Sequence, residues 1–239
     1  MLVCIDHPRI KIKVFRKILT IAGVDGCKDK WIVVTEDATG RTTVREPRAF
    51  ADVVKDNSLD LIVIDIPIGL PDKGCRRADL QAQCFLKHRN MCVFPAPIRP
   101  ILDCPTRELA SATCLAIGDR RVNVFQWAIV PKVRSIDLIM RQQKESQERI
   151  REGHPEVSFA LMNQENPLLS KKRLAGIEQR IGLLRKLFAD IRTDCPHLED
   201  ILDAYALLWT AKRVRLGIER RFPEQAEVDR FGLRMEIAC

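Results

Sequence analysis

The sequence has no Cys-x-x-Cys pair, although nine cysteines are spread from Cys4 to Cys239. An odd number at irregular spacing supports neither a disulfide framework nor a zinc finger, so ordinary thiols in a reducing cytoplasm are the expectation. No apolar run reaches the roughly 20 residues of a membrane span, and no membrane partner is expected. Residues 1–17 are basic through Arg9, Lys11, Lys13, Arg16 and Lys17. They lack the continuous apolar core and small-residue cleavage site of a secretory leader, and read as an extension before a single domain over residues 18–239. A Walker A loop and a G-x-S-x-G elbow are both absent, and no cysteine has an evident histidine partner, so acyl transfer is unsupported. There is no internal repeat and no low-complexity linker.

What is present suits an enzyme-sized domain. With 239 residues, 46% hydrophobic and 30% charged, the chain can bury a sizeable core. Lys plus Arg number 40 against 32 acids, a formal charge of +8, which favours phosphate-bearing partners, nucleic acid among them, although simply solvated helix faces account for the same excess and composition alone does not choose between the two.

The organising stretch is residues 61–70, where Asp65 interrupts the apolar run Ile62-Val63-Ile64-Asp65-Ile66. Such a run reads as a buried central strand, which should hold no carboxylate without a reason. Pro67 cannot donate to a ladder, so the strand should stop near Ile66 with Asp65 at its carboxyl end, where open α/β sheets place their sites. Before it, residues 18–24, 31–34 and 41–45 read as strands joined by short turns, an antiparallel meander. A helix over 50–55 then returns the chain to a strand parallel to the first.

Helices are expected over 76–87, between Pro105 and Gly118, and from Val133 through Met140 with a polar continuation to Arg149. They form an insertion of about 72–150 that also contains a rigid extended loop at 94–100. Val157-Ser158-Phe159-Ala160-Leu161-Met162 reads as a fifth strand with Glu156 at its threshold. An amphipathic helix is expected over 173–191, a break at 194–197, a strongly apolar helix over 198–216, and an edge strand over 231–237.

Four acids interrupt apolar elements: Asp25, Asp65, Glu156 and Asp203. Asp200, three residues before Asp203, projects from the same side of the last helix. Clustered buried carboxylates need cations. Oxygen donors without suitably spaced histidines suit Mg²⁺ or Mn²⁺ bound by Asp25, Asp65, Glu156 and Asp203. Two such ions roughly 3.5–4 Å apart serve in-line phosphodiester displacement, so a nuclease follows chemically. Taken singly, each acid has a bland reading: Asp25 closing a turn, Asp65 capping the Pro67-Gly69 loop, Glu156 a strand-edge charge, Asp203 paired with a buried arginine. Arg76, Arg99 and Lys132, beside distinctive loops, are candidate phosphate contacts. Ser170-Lys171-Lys172-Arg173 reads as a solvent-facing cluster.

The ordered motifs Gly23-Val24-Asp25-Gly26-Cys27 with Trp31, Asp65-Ile66-Pro67-Ile68-Gly69-Leu70, Val93-Phe94-Pro95-Ala96-Pro97, Gln126-Trp127 with Pro131-Lys132, His154-Pro155-Glu156-Val157-Ser158-Phe159 and Leu202-Asp203-Ala204-Tyr205-Ala206 resemble an uncharacterised bacterial family. That family is catalogued as domain of unknown function 429 and described as predicted RNase H-like nucleases. The resemblance covers about residues 18–237. It implies an α/β, RNase H-like mixed sheet, in which an antiparallel three-strand meander and parallel strands are flanked by helices, with helical insertions. It also implies that Asp25 and Asp65 flank the metals while Glu156 and the Asp200/Asp203 pair complete the shell. Two alternatives remain: a catalytically inactive nucleic-acid-binding or scaffold protein on the same fold, and an ATP-dependent phosphotransferase of related topology.

Overall fold

A computed structural model describes residues 20–239; the basic extension assigned to residues 1–17 lies outside the described residues. The chain opens with β1 (Thr20–Cys27), β2 (Lys30–Glu36) and β3 (Thr42–Arg45), followed by the short helix α1 (Phe50–Val54) and β4 (Leu59–Ile64). Then come α2 (Arg77–Phe85), α3 (Arg107–Ala116), α4 (Val124–Gln142), α5 (Lys144–Arg149) and β5 (Ile150–Glu152). The last elements are α6 (Pro155–Met162), α7 (Leu174–Leu184), α8 (Leu198–Leu216), β6 (Arg221–Val228) and β7 (Arg234–Ala238).

The sheet order is β3-β2-β1-β4-β5, with the first three strands antiparallel and β1, β4 and β5 parallel. This is a mixed sheet flanked by helices, consistent with an RNase H-like fold. Both faces are covered, and the two-residue period of a strand sorts the side chains between them. Ala22, Val24, Val33, Ile62 and Ile64 join the core beneath α1 and α4. Ile21, Ile32, Val34 and Val63 face the opposite core, filled by Leu202, Ala204, Leu207 and Leu208 of α8. Alternation carried through continuous apolar runs is what a two-sided sheet demands.

Gly23 shows how closely α8 crosses β1, because a Cβ built there would stand 2.1 Å from the Ala204 carbonyl oxygen and 2.2 Å from the Leu208 nitrogen. Any side chain at this position would separate helix from strand. Gly217, at φ 67°, closes α8 in the left-handed conformation that glycine adopts without strain. Caps mark two other starts: the Asn123 side chain accepts from the Gln126 amide at 2.8 Å, and Thr106 accepts from Leu109 at 3.3 Å. No helix among the described residues is long and apolar enough to cross a membrane.

Several expectations change, the first being that the helix expected from Val133 starts at Val124 and carries Pro131 inside it. Residues 157–162 are not a strand but most of α6, which begins with Pro155 at its first turn. A short run that is apolar on every side carries no period to distinguish helix from strand, and here α6 is buried all round. The fifth strand is instead Ile150–Glu152, immediately after the expected polar helix that ends at Arg149; it pairs with only Ile62, Val63 and Ile64. The helix expected over 173–191 ends at Leu184, although Phe188 and Ile191 still pack against the α8 core. The chain's last strand, β7, pairs with β6 in a separate two-stranded sheet.

Candidate metal centre

Strand register brings the first two acids together. Val24 lies opposite Ile64 in the parallel pair β1·β4, and the Asp65 amide donates to the Val24 carbonyl at 3.1 Å. Asp25 and Asp65 are therefore neighbours at the carboxyl edge of adjacent strands, which stand roughly 4.7–4.9 Å apart. Asp25 shares parity with Gly23, and Asp65 with Val63, so both belong to the face that α8 covers. Asp203 is delivered to that face by α8, one residue before the Ala204 carbonyl that approaches Gly23. Asp25 and Asp203 are 7% and 3% exposed.

These groups also influence one another electrostatically. Burial raises Asp25 well above the usual carboxylate range, and the charges of Asp203, Asp65 and Asp200 raise it further. Burial also raises Asp65, with Glu156 adding to the effect and His154 and Lys171 opposing it. Asp203 is pushed up to about 6 by burial, by Glu156 and by Asp65, against the pull of Lys171. Burial opposes the charge on Lys171, yet its pKa is raised because Asp203, Asp25 and Asp65 surround it.

Asp65, Glu156, Asp203 and Lys171 line one cavity of about 520 Å³. Met91, Val93, Phe94 and Ile129 give it an apolar wall, while Lys171 and Lys172 carry its cationic side. Lys171 was read as solvent-facing. Instead its ammonium ion-pairs with Asp203 Oδ2, which no local sequence signal announces. Asp203 Oδ1 is buried and has no hydrogen-bond partner. An orphaned carboxylate oxygen beside two further raised carboxylates has the oxygen chemistry that a hard divalent cation takes, although among the described residues it is Cys27, His197 and Asp200, not these three acids, whose ligand atoms all lie within 4.8 Å of one another.

The remaining expected residues divide. Glu156 reaches the cavity from the first turn of α6, but Arg180, 1% exposed, holds both its oxygens at 2.6 and 2.8 Å. Its carboxylate is thus neutralised by a protein cation before any metal is considered. Asp200 does not line the cavity; it lies with Cys27 and His197 and reaches Asp25 only electrostatically. Burial, and then a hydrogen bond with Asp200, push the Cys27 thiol up to about 11. Lys132 stays beside the site, with its Nζ donating to the Lys30 carbonyl at 3.0 Å and lying 4.1 Å from the Trp31 ring centroid. Burial lowers its pKa, and Asp25 is the largest opposing influence.

Arg76 lines the same cavity, but its guanidinium, like that of Arg99, is committed to carboxylates of the fold. Arg76, 2% exposed, spends its guanidinium on Asp79, Glu152 and the carbonyls of Ile68 and Gly69. Arg99, 5% exposed, is paired with Asp137 and Asp229. Both tie loops to the fold and have no exposed donor left for a phosphate.

An RNase H-like sheet with carboxylates gathered where its parallel strands end defines the structural class. Within that class, the chain belongs to the family described as Protein of unknown function (DUF429), which matches residues 23–228. No curated protein matches the chain, and no solved structure does.

Proposed function

We propose that the protein is a divalent-metal-dependent nuclease or phosphodiesterase that hydrolyses nucleic-acid phosphodiester bonds. The observation that supports this reading is the placement of Asp25, Asp65 and Asp203 on the face of the sheet that α8 covers, with Asp65 and Asp203 lining the cavity and Asp203 Oδ1 left unpartnered. These three would hold Mg²⁺ or Mn²⁺, with Glu156 alongside and restrained by Arg180. A divalent ion held by these carboxylates would supply Lewis-acid charge neutralisation for an in-line displacement at phosphorus.

The chain's own groups supply the remainder. With Lys171 held by Asp203, the largely exposed Lys172 gives the cavity positive charge for a phosphate, and the apolar wall of the cavity suits the sugar and base that a phosphodiester carries. The formal charge of +8 favours a polyanionic substrate. A cytoplasmic setting belongs to the same proposal, supported by the described cysteines all being free thiols.

One observation favours a second reading, a binding or scaffold protein on this fold: Lys171 already neutralises Asp203. A cleavage panel separates the two. Purified full-length protein should cut members of a set of structured DNA and RNA substrates with Mg²⁺ or Mn²⁺, and Asp65→Asn should abolish cutting. Equal activity in that variant sinks the nuclease reading, and metal-independent binding without cleavage supports the scaffold.

A further inference from the structure

Three donors of different chemistry meet beside the carboxylate centre. Cys27 ends β1, two residues beyond Asp25 and on the same face of the strand, and is 1% exposed. His197 and Asp200 come from the start of α8 and are half-buried. A thiol sulfur, an imidazole nitrogen and a carboxylate oxygen all lie within 4.8 Å of one another. His197 Nδ1 stands 4.0 Å from Asp200 Oδ2.

We propose that Cys27, His197 and Asp200 form a second metal site, which takes a thiophilic divalent cation of the zinc class. One thiolate, one imidazole and one carboxylate, with a fourth position left to water, match the donor set of three-ligand zinc sites. Mg²⁺ prefers six oxygens and does not displace a thiol proton, so this site and the carboxylate centre select different ions. Tetrahedral donors at bonds of about 2.0–2.3 Å stand roughly 3.3–3.8 Å apart, so binding would close the cluster by at most about 1.5 Å. The adjustable members are His197 and Asp200, since Cys27 is fixed in the sheet.

Two features of the surroundings bear on this assignment. His197 holds φ 66°, a left-handed backbone unusual for a residue with a side chain, yet its ring does not cap α8. The nearby cation Lys132 is committed to the Lys30 carbonyl and the Trp31 ring. The second site shares no ligand with Asp25, Asp65 and Asp203, and so it does not depend on the nuclease reading.

Cobalt(II) titration of the full-length protein near neutral pH tests the site, since cobalt reports a thiolate ligand by charge-transfer absorption in the near ultraviolet. One equivalent should produce that band, and zinc should remove it by displacement. Cys27→Ala should abolish it. His197→Asn should weaken cobalt binding by more than about tenfold, because losing a direct ligand costs more than the 10–100-fold scale of outer-shell losses at its lower end. Asn tolerates the left-handed backbone, so an unchanged melting curve for that variant assigns the loss to the imidazole. Asp65→Asn should keep the band. No band at an excess of cobalt, or an undiminished band in Cys27→Ala or His197→Asn, overturns the site. A band lost only in Asp65→Asn also overturns it, by assigning the cobalt to the carboxylate centre.

Discussion

The ammonium of Lys171 donates to Asp203 Oδ2, while Oδ1 of the same carboxylate is buried without a partner. One protein cation therefore half-satisfies a centre in which, beyond burial, Asp203 and Asp65 raise Asp25, and Glu156 and Asp65 raise Asp203. In the absence of metal, Lys171 is the group that makes three neighbouring acids tolerable.

Lys171→Met should accordingly destabilise the metal-free protein. Breaking a buried pair costs about 3–5 kcal/mol; with the Lys171 side chain 30% exposed, roughly 2–3 kcal/mol is expected here. Mg²⁺ or Mn²⁺ should restore more stability to this variant than to the wild type, because the ion takes over the lost charge. Urea unfolding with and without metal measures both effects. An identical metal response in the two proteins would separate Lys171 from the centre.

The pH dependence has a definite sign. A carboxylate whose folded pKa is raised favours its protonated form, so its contribution to the metal-free fold is full below the ordinary value of 3.8 and is lost as pH rises through about 6. Metal replaces those protons. The gain in melting temperature on adding Mg²⁺ should be large at neutral pH and shrink as pH falls through about 6, each pKa unit being worth about 1.4 kcal/mol. Melting curves in chelator and in excess metal test this, and a pH-independent gain would remove Asp203 from the ligand set.

Glu156 separates structural from catalytic roles. Glu156→Gln leaves Arg180, whose Nε already lacks a partner, as an unpaired buried charge, and should cost about 3–5 kcal/mol. The double variant Glu156→Gln with Arg180→Met should regain most of that stability. If the single variant unfolds at the wild-type urea midpoint, Arg180 does not depend on Glu156.

Arg76 should behave as a structural residue. Arg76→Met strands Asp79 and Glu152 in the interior, where both side chains are nearly inaccessible. A loss of about 3–5 kcal/mol is expected. A variant of unchanged stability but weakened nucleic-acid binding would contradict that assignment.

The sequence by itself determined the first four strands of the sheet but not the fifth, because the runs at 18–24, 31–34 and 61–64 are continuous and β-rich and their short or helical connections dictate pairing direction. It also determined that Asp25, Asp65 and Asp203 need a common explanation, since each interrupts an apolar element. Only the tertiary structure decided what surrounds them. Whether 157–162 is helix or strand depends on packing around α6, and whether a lysine or arginine faces solvent or a carboxylate depends on partners remote in sequence. Lys171 meets Asp203 across 32 residues and Arg76 meets Glu152 across 76. Period and propensity act over a few residues, whereas ion pairs form wherever folding brings opposite charges out of water together. Thus the acids of the centre were legible in the chain, while the cations that neutralise them, and the meeting of Cys27 with His197 and Asp200, came from the fold.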